Sequence, residues 1–181
     1  MKRRDVFLGE NPEKVNEAPV EGAFVELDGE QYYKISNVDL MPDFFISLVS
    51  ASDLWMFISS NGSLTAGRKN SESALFPYYS EDKIHDYRGK TGSRTLILVK
   101  QEKKLKLWEP FDGSSGTYNI KRNIYKNLLS NKLIFEEINE DLELSFRYTW
   151  SGSDAFGFVK QSALINHGSG SRKMEVLDGL Q

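Results

Sequence analysis

Nine consecutive residues, Leu142-Glu143-Leu144-Ser145-Phe146-Arg147-Tyr148-Thr149-Trp150, alternate apolar and polar side chains without a break. In an extended chain, Leu142, Leu144, Phe146, Tyr148 and Trp150 fall on one side and Glu143, Ser145, Arg147 and Thr149 on the other. A period of two over that length belongs to a half-buried strand in an antiparallel sheet. Trp150 is therefore expected in a core. A strand of this kind is stable only beside others, so the rest of the chain must supply neighbours.

It does. Short apolar or alternating runs occur at Ala23–Leu27, Gln31–Ile35, Phe44–Val49, Leu54–Ser60, Leu64–Ala66, Thr95–Lys100 and Leu105–Trp108. More follow at Tyr118–Lys126, Leu128–Ile138, Phe156–Asn166 and Lys173–Leu180. Asp28-Gly29 and Asn61-Gly62 are strong hairpin dipeptides. Only Ser80–Tyr87 reads as a helical turn or two, with Ser80 as N-cap and Glu81 and Asp82 in the first turn. The expected fold is all-β, an antiparallel two-sheet sandwich, with a closed barrel as the alternative. Residues 1–21, polar and holding Pro12 and Pro19, read as an extended or poorly ordered lead-in to a β-sandwich domain over 22–181. The run Lys173–Leu180 ends so close to Gln181 that the chain reads as the front part of a longer protein.

The 23 basic and 26 acidic residues leave a net charge of −3, so no global field attracts nucleic acid or an anionic membrane. The chain has no cysteine, which excludes disulfides and thiolate chemistry and permits a reducing, cytoplasmic setting. Neither a signal peptide nor an apolar run of spanning length is present in the sequence.

The alternation fails between Gly67 and Arg94, where charged, aromatic and small residues crowd together. His85 and His167, far apart and outside any pairing motif, are a poor metal or general-base signal. No catalytic residue, metal or cofactor is expected. Gly62 and Gly67 fit no phosphate-binding fingerprint and read as turn and strand-end glycines. Carbohydrate recognition fits better, because aromatic faces stack on sugar rings and charged or amide groups fork onto hydroxyls. The candidate residues for sugar binding or domain docking are Arg68, Asn70, Tyr78, Tyr79, Asp82, Lys83, His85, Asp86 and Tyr87, with Trp55 and Phe76 beside them as core.

Four phrases in order, Phe57–Asp86, Leu107–Asp112, Leu144–Asn166 and Val176–Gln181, make the chain resemble the N-terminal part of bacterial proteins similar to cellobiose phosphorylase. Those proteins open with a β-supersandwich related to galactose mutarotase and continue into a helical (α/α)6 barrel. The resemblance implies a non-catalytic N-terminal domain of a glycoside phosphorylase or hydrolase. Such a domain would border the site of an oligosaccharide substrate and dock a helical catalytic domain of the same polypeptide or of a partner subunit, and a homodimer is compatible with it. A free-standing lectin-like sandwich and a protein–protein interaction module are the alternatives. No residue here matches a family phosphate or sugar ligand individually, so the candidates rest on the irregular stretch alone.

Overall fold

The structure is a computed structural model that describes residues 5–8, 11–101, 104–112 and 116–181. Among these residues the chain forms fourteen strands, all paired antiparallel. A hairpin of β1 (Asp5–Leu8) and β2 (Asn11–Lys14) occupies part of the stretch read as a lead-in. It is followed by β3 (Glu21–Leu27), β4 (Glu30–Ser36), β5 (Phe45–Leu48), β6 (Leu54–Ser59) and β7 (Leu64–Arg68). After a long connection come β8 (Ser93–Gln101), β9 (Lys104–Trp108), β10 (Ile120–Asn127) and β11 (Lys132–Asn139). The chain then runs through β12 (Leu144–Ser153), β13 (Gly157–Asn166) and β14 (Lys173–Leu180). One short α-helix, α1 (Glu81–Ile84), lies where a helical turn is expected.

The larger sheet runs β13-β12-β11-β10-β4-β3, and two three-stranded sheets, β5-β6-β7 and β14-β8-β9, form the second layer. The core between them draws on all three. Leu133, Phe135, Phe146, Tyr148 and Trp150 come from the larger sheet, Met56, Ile58 and Leu64 from one small sheet, and Ile97, Val99 and Trp108 from the other. The architecture is thus an antiparallel β-sandwich. The alternation in β12 does what its period requires, burying Leu144, Phe146, Tyr148 and Trp150. On the far face of the larger sheet, a smaller cluster of Tyr32, Tyr125 and Ile134 with Val25 and Leu27 comes entirely from strands of that sheet. Lys34 and Arg147 lie over its Tyr125 ring.

Two local differences from the sequence pattern have clear causes. Leu128–Asn131 is a turn and not the start of a strand: Ser130 takes φ 58°, and the Asn127 side-chain carbonyl accepts from the amides of Asn131 and Lys132 at 3.0 and 2.9 Å. An Asx-type contact of this kind overrides the apolar look of Leu128 and Leu129, which are exposed. At the other end, β12 carries on through Ser151–Ser153, because Gly152 and Ser153 still pair with Phe158 and Gly157.

Candidate functional site

Strand β6 has apolar residues on both faces. Leu54, Met56 and Ile58 point into the core, which leaves Trp55 and Phe57 on the outer face of the β5-β6-β7 sheet. Phe45 from β5 joins them, 5.1 Å from Phe57, and Phe57 lies 5.8 Å from Trp55. Tyr78 meets Trp55 edge-on at 5.9 Å and 77°. Phe45, Phe57, Trp55 and Tyr78 therefore form a continuous aromatic terrace, with Tyr78 the most exposed at 55%.

The connection from β7 to β8 folds back over the remainder of that face and is fastened there. Thr65 Oγ1 donates to the Pro77 carbonyl at 2.8 Å and Ser63 Oγ to the Ile84 carbonyl at 2.6 Å. Asn61 Nδ2 donates to the His85 carbonyl at 3.0 Å, and the Leu64 amide donates to Thr91 Oγ1 at 3.2 Å. Ile84 is fully buried, so α1 sits on the sheet as an anchor. Gly67 permits the tight packing at the other end. A Cβ there would lie 2.5 Å from Trp55 Cζ2 and 2.7 Å from the Ala74 Cα.

The residues singled out from the sequence divide among different tasks. Arg68 ends β7 and pairs through Nε with Asp53 Oδ1 at 3.1 Å, beside the terrace. The Asn70 side chain accepts from the Ser73 amide at 3.2 Å, and the Asn70 carbonyl accepts from Trp55 Nε1 at 3.2 Å. Arg68, Asn70 and Tyr78 are thereby gathered around Trp55. Tyr79 and Tyr87 stack on each other with centroids 3.6 Å apart, and the Lys90 ammonium lies 5.2 Å from the Tyr87 centroid. Desolvation and the neighbouring Tyr87 raise the Tyr79 phenol above its ordinary pKa. His85 Nδ1 is 2.7 Å from Ser59 Oγ, a fully buried hydroxyl, so this pair fastens the loop and offers no nucleophile to solvent. Lys83 and Asp86 are exposed, and the Asp82 side chain lies outside the described residues. Phe76, like Trp55, is only half buried, and it packs against the core.

Neither a family model nor a curated protein matches the chain.

Two carboxylates that the sequence pattern left unremarked are more deeply placed than any of these. Adjacent residues of β11 face opposite ways, and both are buried, Glu136 at 3% and Glu137 at 1% exposure. Glu137 points into the core, where it accepts from Trp108 Nε1 at 2.8 Å, the Phe111 amide at 2.7 Å and Arg122 Nε at 2.8 Å. Glu136 lies on the far face of the larger sheet and accepts from Asn123 at 2.7 Å, Tyr125 at 2.5 Å and Arg147 Nε at 2.5 Å. Burial alone would raise the Glu136 carboxyl, but these three donors outweigh it and hold its pKa below the ordinary value. Such a carboxylate stays charged and holds structure; it is not poised to deliver a proton. Phe57 is signalled in the sequence by the two-faced apolarity of Leu54–Ile58, and Phe45 joins it from β5.

Proposed function

We propose that this chain is a non-catalytic β-sandwich domain of a carbohydrate-active protein of the glycoside phosphorylase or hydrolase kind. In this reading the terrace of Phe45, Phe57, Trp55 and Tyr78 borders the sugar, and the fastened connection beside it docks a helical catalytic domain. The terrace carries the proposal. Ring edges and faces open to solvent suit the C–H faces of pyranose rings, and Arg68, Asp53 and Asn70 supply polar groups at its margin. The order of sequence phrases shared with cellobiose-phosphorylase-like proteins supports the same substrate class. A cytoplasmic setting accords with a chain that holds no cysteine.

The test is calorimetric titration of the chain with cello-oligosaccharides, paired with tryptophan fluorescence. Saturable heat and a change in Trp55 emission are expected, with Tyr78→Ala weakening binding at least tenfold while leaving the melting temperature in place. Absence of heat and of any emission change across the oligosaccharide series would overturn the sugar reading and leave the terrace as a protein-docking surface.

A further inference from the structure

Strand β14 lies at the end of its sheet, with β8 on one side and no strand on the other among the described residues. All eight of its residues keep register with β8, so the strand is unbulged. A free edge of this type presents a row of main-chain donors and acceptors to solvent. Lys173, Glu175 and an inward Asp178, held by Lys160 and Ser162 of β13, protect part of the edge, but its apolar residues stay open. Leu177 is 68% exposed, and Val176 and Leu180 are also open.

The edge leads into an open apolar cleft of about 560 Å³ walled by Leu54, Leu75, Phe156, Phe158 and Leu180, with Trp150 at its floor. Phe156 is 84% exposed at its lip. Among the described residues, the buried indole N–H of Trp150 has no acceptor. At the opposite end of the edge, Lys173 stands directly across from Lys100 on the same face, and among the described residues no carboxylate pairs with either.

We propose that β14 binds an extended segment of another polypeptide, which adds antiparallel as the next strand of the sheet. Alternation fixes what that segment must carry. Lys173, Glu175 and Leu177 share the outer face, while Leu180 shares the inner face with Met174, Val176 and Asp178. The bound strand places an apolar residue opposite Leu180 to enter the cleft, a second opposite Leu177, a basic one opposite Glu175 and an acidic one opposite Lys173. Read along the partner, these are positions 1, 4, 6 and 8 of an octapeptide. A second copy of β14 fits poorly. Two-fold pairing that stacks Leu177 on itself leaves Lys173 facing Gln181, and pairing that matches Lys173 with Glu175 centres on Met174 and leaves Leu177 and Leu180 bare. The partner is therefore a different sequence with apolar, apolar, basic and acidic residues in that order.

A displayed library of random octapeptides panned on the whole chain tests this. Enrichment of apolar residues at positions 1 and 4, a basic residue at 6 and an acidic one at 8 is expected. In fluorescence anisotropy the enriched peptide should lose at least tenfold in affinity when its edge-facing amides are N-methylated. Leu177→Lys, an exposed change, should cost at least tenfold, and Lys173→Glu should switch the preference at position 8 from acidic to basic. No enrichment, enrichment without the charged positions, or binding that survives N-methylation overturns the proposal. So does a sedimentation result in which the chain forms a dimer that Leu177→Lys dissolves, which would assign the edge to a second copy.

Discussion

His85 Nδ1 and Ser59 Oγ, 2.7 Å apart, tie the middle of the β7–β8 connection to the end of β6. Ser59 Oγ also accepts from the Asn61 amide at 3.2 Å. The same arrangement recurs at His167, whose Nε2 is 2.9 Å from Ser145 Oγ, another buried hydroxyl. Both histidines thus serve as partners for buried serines. Ser59→Ala removes both bonds and should cost about 1–3 kcal/mol. Hydrogen exchange should speed up for amides between Ile84 and Thr91 and stay unchanged in β12. Equal acceleration in both regions would show that the bond supports the whole sandwich instead of the loop.

Gly67→Ala should be among the more damaging single methyl additions in the chain. The new Cβ would meet Trp55 at 2.5 Å and the backbone of Ser73 and Ala74 at 2.7 Å, and backbone cannot swing aside. About 1–3 kcal/mol of destabilisation is expected for overpacking. Trp55 emission should shift as the indole is displaced, and a variant with unchanged emission and urea midpoint would contradict the packing described.

Acid should unfold the protein through specific carboxylates. The Lys132 ammonium, together with Asn127 and Tyr32, holds the Glu30 carboxyl down to about 2. Glu136 and Asp178 are also held low, each by donors that outweigh its burial. A folded-state pKa below the unfolded value stabilises the fold above the unfolded value, near 4, and that contribution is lost as pH falls toward the folded one. Urea midpoints should therefore decline from about pH 5 down to about pH 2. Glu136→Gln should cost about 2 kcal/mol at pH 7, less than for a fully enclosed pair because the Arg147 side chain is 32% exposed. Its disadvantage should shrink on acidification. A gap between variant and parent that stays constant from pH 7 to pH 3 would count against an ionised Glu136.

The turn after β10 offers a contrast between adjacent parts of one hairpin. Asn127 is buried and makes four hydrogen bonds, to Glu30, to the Asn131 side chain and to the amides of Asn131 and Lys132. Asn127→Ala should cost about 2–3 kcal/mol. Leu129→Asn, at an exposed position, should stay within about 0.5 kcal/mol. Thermal melts of the two variants check both values, and similar losses would refute the turn geometry.

Most strands were legible because the core is one-sided: β12 shows its buried face in the order of its letters, and β14 begins and ends where its pattern does. The Leu128–Asn131 turn was not, since apolar letters there are overruled by contacts of the Asn127 side chain. The candidate site was legible in part. Tyr78, Arg68 and Asn70 do surround Trp55, yet the stacking of Tyr79 on Tyr87 and the attachment of His85 to Ser59 depend on where the loop lands. Glu136 and Glu137 were hidden for a different reason. Two adjacent acids in a sequence look like a solvated surface, and only their partners from β9, β10 and β12 bury them.

Those two carboxylates key β11 in place. Most strands hold register through the shape of apolar side chains, which a slip of one residue exchanges wholesale between faces. A one-residue slip of β11 would bring one glutamate onto the partners of the other. The displaced glutamate would lose its donors, and either Arg122 or Arg147 would face an apolar side chain. The doublet thus makes a slip of the central hairpins electrostatically costly in either direction, and gives the sheet a single alignment from which the terrace, the fastened loop and the open edge all take their positions.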